Sequence, residues 1–505
     1  MKTVPDYAGL SAASSLEDYF IVGRVFPVFV FMESFADFDQ ATIAAIATPP
    51  GAGGIGIIRI SGSRAREILL QLFRPARGEV ASGRSHQLRY GWIVEPESGR
   101  PLDEVMAVYM AAPATYTRED VVEIHGHGGY VVLREILGLI LAREGVRAAE
   151  AGEFTKRAFL NGRIDLTRAE AVLDVLNAGT REGLNLAMSQ LQGGLQQQLE
   201  PVRRALLEVL AVVEVAIDFP DEDAEIIDTA ALGRRLELEV RQPLQELLER
   251  ADRGRIFREG ATVVILGRPN VGKSSLLNAL LQDERAIVTA IPGTTRDTIE
   301  ECLNIHGMPL RIVDTAGIRE TTEEVEGIGI ERSRRRVAEA DLVLLLVEAG
   351  SEPSSEDMAL FDSVREKKVL VVVNKLDLLG DASPAAAEAA LAAWRHRFPG
   401  RELTGISARA RVGLEQLEDL VFRLISGDEP RDPGYACVPN ARHRAALART
   451  LPALERVQQG LAAGLAPELL AVELQACLGS LGEIIGEVGS EELLDTIFSS
   501  FCIGK

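Results

Sequence analysis

Short apolar runs separated by glycine and proline characterise the first regular part of the chain. Residues 42–61 predict a strand, a loop and a second strand, because apolar runs flank the punctuation PPGAGG. Similar runs at Glu104–Met110 and Asp120–His125 predict further strands, and the spacing over Gly129–Arg143 predicts a helix. These elements together predict a small α/β domain that ends near Phe154.

Beyond this domain, apolar residues recur at the intervals of three and four that are typical of helices. Thr167 and Glu170 match a capping box, which predicts a helix that starts at Thr167. One long apolar face covers residues 184–213, a second helix is predicted over Leu236–Ala251, and the pattern is helical again from Ala441 to Phe501. Each segment has an apolar stripe to bury, so we expect these segments to pack together as a helical bundle.

A separate strand-and-helix pattern interrupts the helical segments. It begins at Ala261, ends near Leu424, and contains the apolar runs Val263–Leu266, Leu342–Val347 and Val369–Val373. Continuous runs of this kind are typical of parallel strands buried on both faces of a sheet. The sequence therefore predicts a doubly wound α/β domain inserted into an all-α bundle.

Composition limits the partners that this chain can have. The chain has 505 residues and a formal net charge of -21, so its surface as a whole repels nucleic-acid phosphate. Contact with RNA therefore requires a local basic patch or a partner protein. The cysteines have no metal-ligand spacing and indicate a reducing, cytoplasmic setting. They are Cys302, Cys437, Cys477 and Cys502.

The N-terminal end has an unusual apolar segment. Tyr19–Phe35 is interrupted by Arg24 and Pro27, so it fits neither a membrane span nor a signal peptide. We expect residues 1–31 to be an upstream extension, with Met32 as the natural start.

The inserted domain opens with a phosphate-binding motif. The run Gly267–Ser274 (GRPNVGKS) directly follows a buried strand and matches GxxxxGK[ST] in the strand-to-helix context that this motif requires. Its backbone N–H groups would surround phosphate at a helix N-terminus. Lys273 would bridge the β- and γ-phosphates, and the Ser274 hydroxyl would bind Mg²⁺.

Four further motifs follow in order and identify the nucleotide as GTP. GTTRD at 293–297 would supply Thr295 to Mg²⁺, and DTAG at 314–317 ends a strand beside the metal and the γ-phosphate. In NKLD at 374–377, the Asp377 carboxylate would accept two hydrogen bonds from guanine, which adenine cannot donate. The SAR motif at 407–409 would complete the base pocket through its backbone.

The residue after DTAG lacks the usual catalytic group. A GTPase of the Ras type has a glutamine there to orient the attacking water, whereas this chain has Ile318. Either hydrolysis is slow or another polar residue orients the water. The segment 319–331 contains five glutamates, and composition alone does not distinguish among them.

The flanking motifs resemble those of a known family. They are ATPPGAGGIGIIRISG at 47–62, EIHGHGG at 123–129 and FCIGK at 501–505. With the five nucleotide motifs, they make residues 38–505 similar to the MnmE (TrmE) family of tRNA-modification GTPases. The resemblance implies a homodimer that works with the flavoprotein MnmG as a heterotetramer. The pair would add an aminomethyl or carboxymethylaminomethyl group to the wobble uridine of certain tRNAs, using 5-formyltetrahydrofolate or a related folate.

The resemblance also implies roles for individual residues. Glu326 would orient the catalytic water and act with Lys273 and Thr295. Mg²⁺ would be held by Ser274 and Thr295, K⁺ by Asn270, Thr289, Ile291 and Thr294, and folate by Arg59, Glu123, Arg163 and Lys505, although the family often has lysine at the position of Arg163. With the motifs, the residues expected to contact GTP are Asn270, Val271, Gly272, Lys273, Ser274, Ser275, Thr289, Thr294, Thr295, Asp314, Thr315, Ala316, Gly317, Asn374, Lys375, Asp377, Ser407, Ala408 and Arg409.

The predicted organisation has five segments. A disordered extension (1–37) precedes an N-terminal α/β domain for folate binding and dimerisation (38–155). A first helical segment (156–257), a Ras-like G domain (258–428) and a second helical segment (429–505) follow.

Several alternatives remain open at this stage. The chain could be a ribosome-assembly or regulatory G protein that acts by binding, and its N-terminal domain could serve dimerisation alone. The Cys502 thiol has either a structural or a catalytic role. His125 and His127 beside Glu123 fit pocket lining better than metal binding, because no third ligand is near in sequence.

Overall fold

The computed structural model describes residues 41–78, 84–219, 228–283, 300–314, 337–379, 384–427, 437–487 and 490–505. The chain divides into two compact units. The first contains the chain up to Leu166 together with Gly482–Lys505, and the second is Thr167–Leu481. The expected N-terminal extension lies outside the described residues, and the five-segment division stays a prediction.

A seven-stranded sheet forms the centre of the first unit. Its order is β3-β4-β5-β6-β2-β1-β7, and all neighbouring pairs are antiparallel except β1 with β7. The strands predicted from the apolar runs are confirmed. The strands are β1 (Thr42–Ile46), β2 (Gly53–Ser61), β3 (Phe73–Pro75), β4 (Arg89–Val94), β5 (Pro101–Met110), β6 (Val121–Gly128) and β7 (Val146–Ala148).

Two helices, α1 (Ala65–Leu72) and α2 (Tyr130–Leu141), cover one face of this sheet. Their apolar stripes meet the inward-facing side chains of the strands, and Ile58, Ile60 and Ile136 are fully buried there. At the end of the sheet, α3 (Glu153–Leu160) packs against the C-terminal helix α15 (Glu491–Ser499). The C-terminal residues therefore belong to the same unit as the N-terminal sheet.

The second unit contains a helical part made from both sides of an insertion. The helices before it are α4 (Leu166–Asn177), α5 (Arg181–Leu191), α6 (Gly194–Asp218), α7 (Thr229–Arg235) and α8 (Gln242–Glu259), with a π-helical turn at Leu236–Arg241 between the last two. The helices after it are α13 (Ala441–Ala463) and α14 (Pro467–Ile485). Since α13 packs on α7 and α8, the predicted pairing of the two helical segments is confirmed.

Two details of the helical prediction were wrong. The face predicted as one long helix over residues 184–213 is two helices, because Gly193 (φ 92°) takes a left-handed conformation that ends the first. In addition, α4 begins at Leu166, so Thr167 lies inside the helix and is not its cap. The Glu170 carboxylate is directed instead to the start of α13.

A buried polar network joins α4 to α13. Glu170 accepts hydrogen bonds from Asn440 Nδ2 (2.9 Å), Arg442 Nη2 (2.8 Å) and His443 Nε2 (2.8 Å). The His443 side chain is completely buried, and its Nδ1 accepts the Asn440 backbone N–H, so Nε2 carries the proton. Burial lowers the pKa of His443. Burial by itself would raise the pKa of Glu170, but its His443 and Arg442 partners outweigh this and hold that pKa well below its usual range.

The inserted part is a doubly wound α/β fold. Its six-stranded sheet has the order β13-β12-β11-β8-β10-β9, parallel except for the edge strand β9. The strands are β8 (Ala261–Leu266), β9 (Glu300–Ile305), β10 (Met308–Asp314), β11 (Leu342–Glu348), β12 (Val369–Asn374) and β13 (Glu402–Gly405). The helices are α9 (Lys273–Asp283), α10 (Ser355–Val364), α11 (Pro384–Arg397) and α12 (Leu414–Ser426).

Both faces of this sheet are covered. One apolar cluster contains Val263 and Ile265, and the other contains Val264 and Leu266, because successive side chains point to opposite faces. This arrangement explains the uninterrupted apolar runs in the sequence and confirms the predicted α/β plus all-α fold class. Within the part of the chain that the structure describes, no helix has the length and apolarity needed to cross a membrane.

Replacing Glu170 by alanine should loosen α13, because the buried His443 and Arg442 would lose their acceptor. Hydrogen exchange along α13 measures the local opening free energy, which we expect to fall by about 3 kcal/mol. Glu473→Ala is the matched control, since it removes the partly exposed partner of Arg456, an exposed residue that also lies on α13. Its cost should be under about 1 kcal/mol. Equal effects of the two substitutions would contradict the buried-network argument.

The pH dependence of the same opening is a second readout. The folded-state pKa values of His443 and Glu170 both lie below their ordinary values of 6.5 and 4.5. Their stabilisation is therefore fully present above pH 6.5, and it decreases as the pH falls, through His443 first and Glu170 below about pH 4.5. An opening free energy that stays constant between pH 8 and pH 5 would contradict this.

Candidate functional site

The phosphate-binding motif forms a loop between β8 and α9. Asn270 (φ 64°) and Gly272 (φ 98°) both have left-handed backbone conformations there. A Cβ on Gly272 would lie 2.3 Å from Asn374 Nδ2, so this position requires glycine both for its backbone and for the close approach of Asn374. The loop passes directly into α9, whose first residues are Lys273 and Ser274. Its N–H groups therefore lie at a helix N-terminus, where an anion is stabilised.

Lys273 lies over this loop. Its ammonium donates to the carbonyl oxygens of Gly267 (2.8 Å) and Arg268 (2.9 Å). The lysine charge is therefore held above the concave side of the loop, in reach of a bound phosphate. Ser274 and Ser275 are exposed on the first turn of α9.

The buried side chain of Asn374 links the phosphate loop to the predicted base pocket. Its Nδ2 donates to the Val271 carbonyl (2.9 Å), and its Oδ1 accepts the Ala408 N–H (3.1 Å). Asn374 is only 1% exposed, so leaving either amide atom unpaired would be costly. One side chain thus joins three of the predicted motifs.

The predicted base-contacting residues converge beside Asn374. The Ser407 hydroxyl donates to Asp377 Oδ1 (2.5 Å) and accepts the Ala410 N–H (3.0 Å). These bonds orient the exposed Asp377 carboxylate at the end of β12. Lys375 takes a left-handed conformation, and its ammonium pairs with Glu348 at 3.0 Å. The carboxylate and the neighbouring backbone N–H groups can together recognise a purine edge.

One supporting contact was missed by the sequence analysis. Arg268, within the phosphate loop, pairs with the fully buried Asp357 at 2.9 Å. Asp357 also forms the capping box of α10 with Ser354. No motif connects these positions, so the sequence contains no signal from which the pair could have been found.

Several predicted site residues are not among those that the structure describes with their side chains. Asp314 ends β10, but only its backbone is described. The others lie outside the described residues, and their roles stay predictions. They are Thr289, Ile291, Thr294, Thr295, Thr315, Ala316, Gly317 and Glu326.

A second polar site lies in the first unit, where Arg59 meets the end of the chain. Arg59 Nε donates to Glu123 Oε1 (2.9 Å), and Nη1 donates to the Gly504 carbonyl (3.1 Å). Burial raises the pKa of Glu123, but the bonds from His125 and Arg59 outweigh it and lower that pKa overall. The guanidinium also lies 5.6 Å from the centre of the Phe154 ring. Two predicted folate residues, Arg59 and Glu123, thus meet Gly504, the neighbour of a third, Lys505.

The chain terminus is held there by its backbone. Phe154 N–H donates to the Lys505 carbonyl (3.1 Å), and Ala151 forms an isolated bridge with Ile503. The FCIGK motif is therefore docked on the start of α3, with Lys505 partly exposed.

Arg163 lies near the apolar cluster that contains Phe154. Its guanidinium lies 4.7 Å from the centre of the Tyr116 ring, and Tyr116 packs on the small cluster that contains Phe154. The structure therefore arranges Arg59 and Arg163 around one apolar cluster.

The remaining candidates have ordinary partners. His125 contacts Glu123 (3.1 Å), and His127 contacts Asp103 (2.6 Å). Among the described residues, no group of three or more His, Cys, Asp or Glu side chains could hold a metal ion. Cys502 is exposed, whereas burial raises the pKa of Cys437 to about 11 and that of Cys477 to about 12.

Comparison with known proteins shows which protein family this chain is similar to. A family model described as the MnmE helical domain matches residues 166–502, and one described as the GTP-binding protein TrmE N-terminus matches residues 42–163. A protein of Desulfotalea psychrophila named tRNA modification GTPase MnmE is 50% identical over 468 residues, which cover 92% of this chain and 99% of that protein. A protein of the same name from Heliobacterium modesticaldum is 47% identical over 470 residues, covering 92% and 99%.

Solved structures also include similar chains. A variant of Aquifex aeolicus Era bound to GDP and AlF4⁻ is 28% identical, with a TM-score of 0.28, over 38% of this chain and 66% of that one.

Proposed function

The chain belongs to the MnmE family of tRNA-modification GTPases, and we propose that it is a potassium-dependent GTPase acting with the flavoprotein MnmG. Membership of this family makes the chain a GTP hydrolase that acts in tRNA modification. The proposed reaction adds an aminomethyl or carboxymethylaminomethyl group to the wobble uridine of certain tRNAs. A folate supplies the carbon, and the active form is a cytoplasmic homodimer that binds MnmG.

The observation that carries this proposal is the link that Asn374 makes between the phosphate loop and the predicted base pocket. A triphosphate nucleotide must contact both segments at once, and a shared buried amide sets their separation. Asp377, oriented by Ser407, would select guanine, because its carboxylate accepts the two N–H groups on that base.

The phosphates of the nucleotide would be bound by α9 and the phosphate-binding loop that precedes it. When the γ-phosphate binds, we expect the Lys273 ammonium to exchange loop carbonyls for phosphate oxygens and to stabilise the charge that develops in the transition state. The exposed Ser274 hydroxyl fits a Mg²⁺ ligand, and the ion would neutralise the same oxygens. Because Ile318 cannot bind water, Glu326 is our proposed residue for orienting the attacking water.

Asn270 supports a monovalent-cation site beside the phosphates. Its backbone is left-handed at the turn of the phosphate-binding loop, three residues before α9 begins at Lys273. An amide oxygen is a suitable K⁺ ligand, and the cation would add positive charge where an arginine finger acts in other GTPases. Thr289, Ile291 and Thr294 complete the proposed site.

The Arg59 site suits a folate. A folate has carboxylates and a ring with several hydrogen-bonding groups, and the site offers a guanidinium, a carboxylate with a lowered pKa, and the terminal Lys505 around an apolar cluster. Folate would supply one carbon for transfer. The chain's part is to hold the carrier between Arg59, Glu123, Arg163 and Lys505.

A ribosome-assembly or regulatory G protein is the alternative reading, and the fold disfavours it. That reading predicts an RNA-binding module after the G domain. Instead, α13 and α14 return to the helical part, and α13 docks there through His443.

We expect potassium to accelerate GTP hydrolysis relative to sodium at equal ionic strength, because the proposed cation site adds charge at the transition state. Asn270→Gly keeps a residue that tolerates the left-handed conformation but removes the amide oxygen. Its rate in potassium should fall to about the sodium rate, while GTP affinity changes little. Equal wild-type rates in the two salts would contradict potassium dependence.

Titration calorimetry with 5-formyltetrahydrofolate tests the Arg59 site. Arg59→Gln should weaken binding by about tenfold to a hundredfold, since it removes a charge-assisted contact. Arg134→Gln, an exposed arginine on α2, is the control and should bind like the wild type. If the wild type gives no heat, the N-terminal domain serves dimerisation without folate.

Nucleoside mass spectrometry of tRNA tests the reaction itself. In a bacterium that lacks its own enzyme of this kind, the wild-type gene should restore aminomethyl-type wobble uridine. Lys273→Ala should abolish the restoration, because the lysine that contacts the phosphates is lost. Absence of restoration, with host MnmG shown to bind the protein, would favour the binding-only G protein.

A further inference from the structure

Arginine residues are concentrated in one stretch of the first unit, against the acidic character of the whole chain. Residues 64–89 contain six arginines and two glutamates, in a protein with a formal net charge of -21. The arginines are Arg64, Arg66, Arg74, Arg77, Arg84 and Arg89. The described parts of the stretch, residues 64–78 and 84–89, contain α1, β3 and the first residue of β4.

Three of these arginines surround one shallow pocket. Arg66 on α1, Arg84 before β4 and Arg89 on β4 line it, above a floor that includes Phe73 and Tyr109. Among the residues that the structure describes, no carboxylate lines this pocket. Arg89 also donates to the Arg77 carbonyl (3.1 Å), so Arg77 is adjacent. We call Arg66, Arg77, Arg84 and Arg89 the arginine patch.

Two described acidic residues close to the patch, Glu67 and Asp120, already have partners. Glu67 pairs with Arg64 at 2.9 Å, on the neighbouring position of α1. Burial, followed by the nearby Asp120, raises the pKa of Tyr109, and Asp120 accepts the Ala112 N–H (2.9 Å). Neither of these two carboxylates therefore neutralises Arg66 or Arg84.

The side chains of the patch are arranged to present charge outward. Arg66 lies 5.4 Å from the centre of the Tyr109 ring, and this stacking orients its guanidinium while Arg66 remains exposed. Within the described part of the chain, Arg66 and Arg84 form no ion pair with a carboxylate. Exposed arginines elsewhere do, for example Arg456 with Glu473 (2.7 Å) and Arg395 with Glu388 (2.8 Å).

Clustered guanidinium groups repel one another unless an anion joins them. Guanidinium groups bind phosphate in a bidentate manner, and several around one concave surface match consecutive phosphates of a nucleic-acid backbone. The local field also opposes the repulsion that the acidic surface imposes on RNA.

We propose that the arginine patch binds the phosphate backbone of the tRNA substrate. This inference rests on the proposed function, because it takes tRNA as the substrate, and it assigns the contact to the first unit of the chain. The contact reads charge and shape rather than sequence, so it holds the tRNA in place while other residues select the base.

The test measures tRNA binding by the full-length protein through fluorescence anisotropy, over a range of KCl concentrations. The double variant Arg66→Gln/Arg84→Gln removes two charges whose side chains are exposed. The control Arg134→Gln/Arg395→Gln removes the same charge from exposed positions outside the patch. Circular dichroism and thermal unfolding verify that both variants are folded.

We expect the patch variant to bind tRNA about tenfold or more weakly at low salt. The slope of log Kobs against log salt should become shallower by about 1 to 2, since each phosphate contact contributes about 0.7 to 0.9. The control should keep the wild-type slope and bind within about twofold of the wild-type affinity. A patch variant with the wild-type slope and affinity would overturn the proposal. The proposal would also be overturned if the patch variant lost binding to phosphatidylserine vesicles but bound tRNA like the wild type.

This outcome is separable from the outcome for the proposed function. One possible result is that the wild type fails to restore the wobble nucleoside, while the patch variant binds tRNA more weakly than the wild type does. In that case the reaction is misassigned and the patch is still an RNA-binding surface. If the wild type restores the nucleoside and the patch variant binds tRNA normally, the patch inference alone fails.

Discussion

The architecture depends on a carboxylate that joins two distant parts of the chain. Glu170 near the start of α4 binds Asn440, Arg442 and His443 at the start of α13, about 270 positions later. A buried carboxylate without these donors would be unstable, so the polar groups specify where α13 must dock. The inserted α/β part lies in the sequence between α8 and α13, which pack against each other.

The inserted part is also in direct contact with the helices around it. Phe257 of α8 and Phe422 of α12 meet edge to face, with ring centres 6.2 Å apart. The turn between β9 and β10 approaches α5, since a Cβ on Gly307 would lie 2.6 Å from the Glu182 side chain. His306, in the same turn, contacts Asp419 at 2.8 Å. The hairpin of β9 and β10, which lies between the GTTRD and DTAG motifs in the sequence, is therefore supported by helices of the same unit. As a result, the inserted part that carries the nucleotide site and the helical part share one packed interior.

Charge is distributed unevenly over the first unit. Arg59 and Arg163 lie around the small cluster with Phe154, where the chain terminus is docked, whereas the arginine patch lies beside α1 and the strands β4 and β5. These two groups have different surroundings. Arg59 is bound to a carboxylate and a carbonyl within a formed site, as a small ligand requires. No described carboxylate lines the pocket of the arginine patch, as a polyanion requires.

The sequence by itself determined many of the strands, several of the helices, the phosphate loop and the insertion, because local periodicity or a short motif encodes each of these. The strands β3, β4, β7, β9 and β13 were not predicted. Uninterrupted apolar runs predicted β8, β11 and β12, since strands covered on both faces need no polar positions. Only the tertiary structure decided the partners of Glu170, the pairing of Arg268 with Asp357, and the meeting of Arg59 with Gly504. These contacts join residues between 89 and 445 positions apart, and no local pattern encodes which distant donor will satisfy a buried acceptor. The break at Gly193 was missed for a related reason: the apolar spacing continues through it, and the left-handed turn shows only in the backbone.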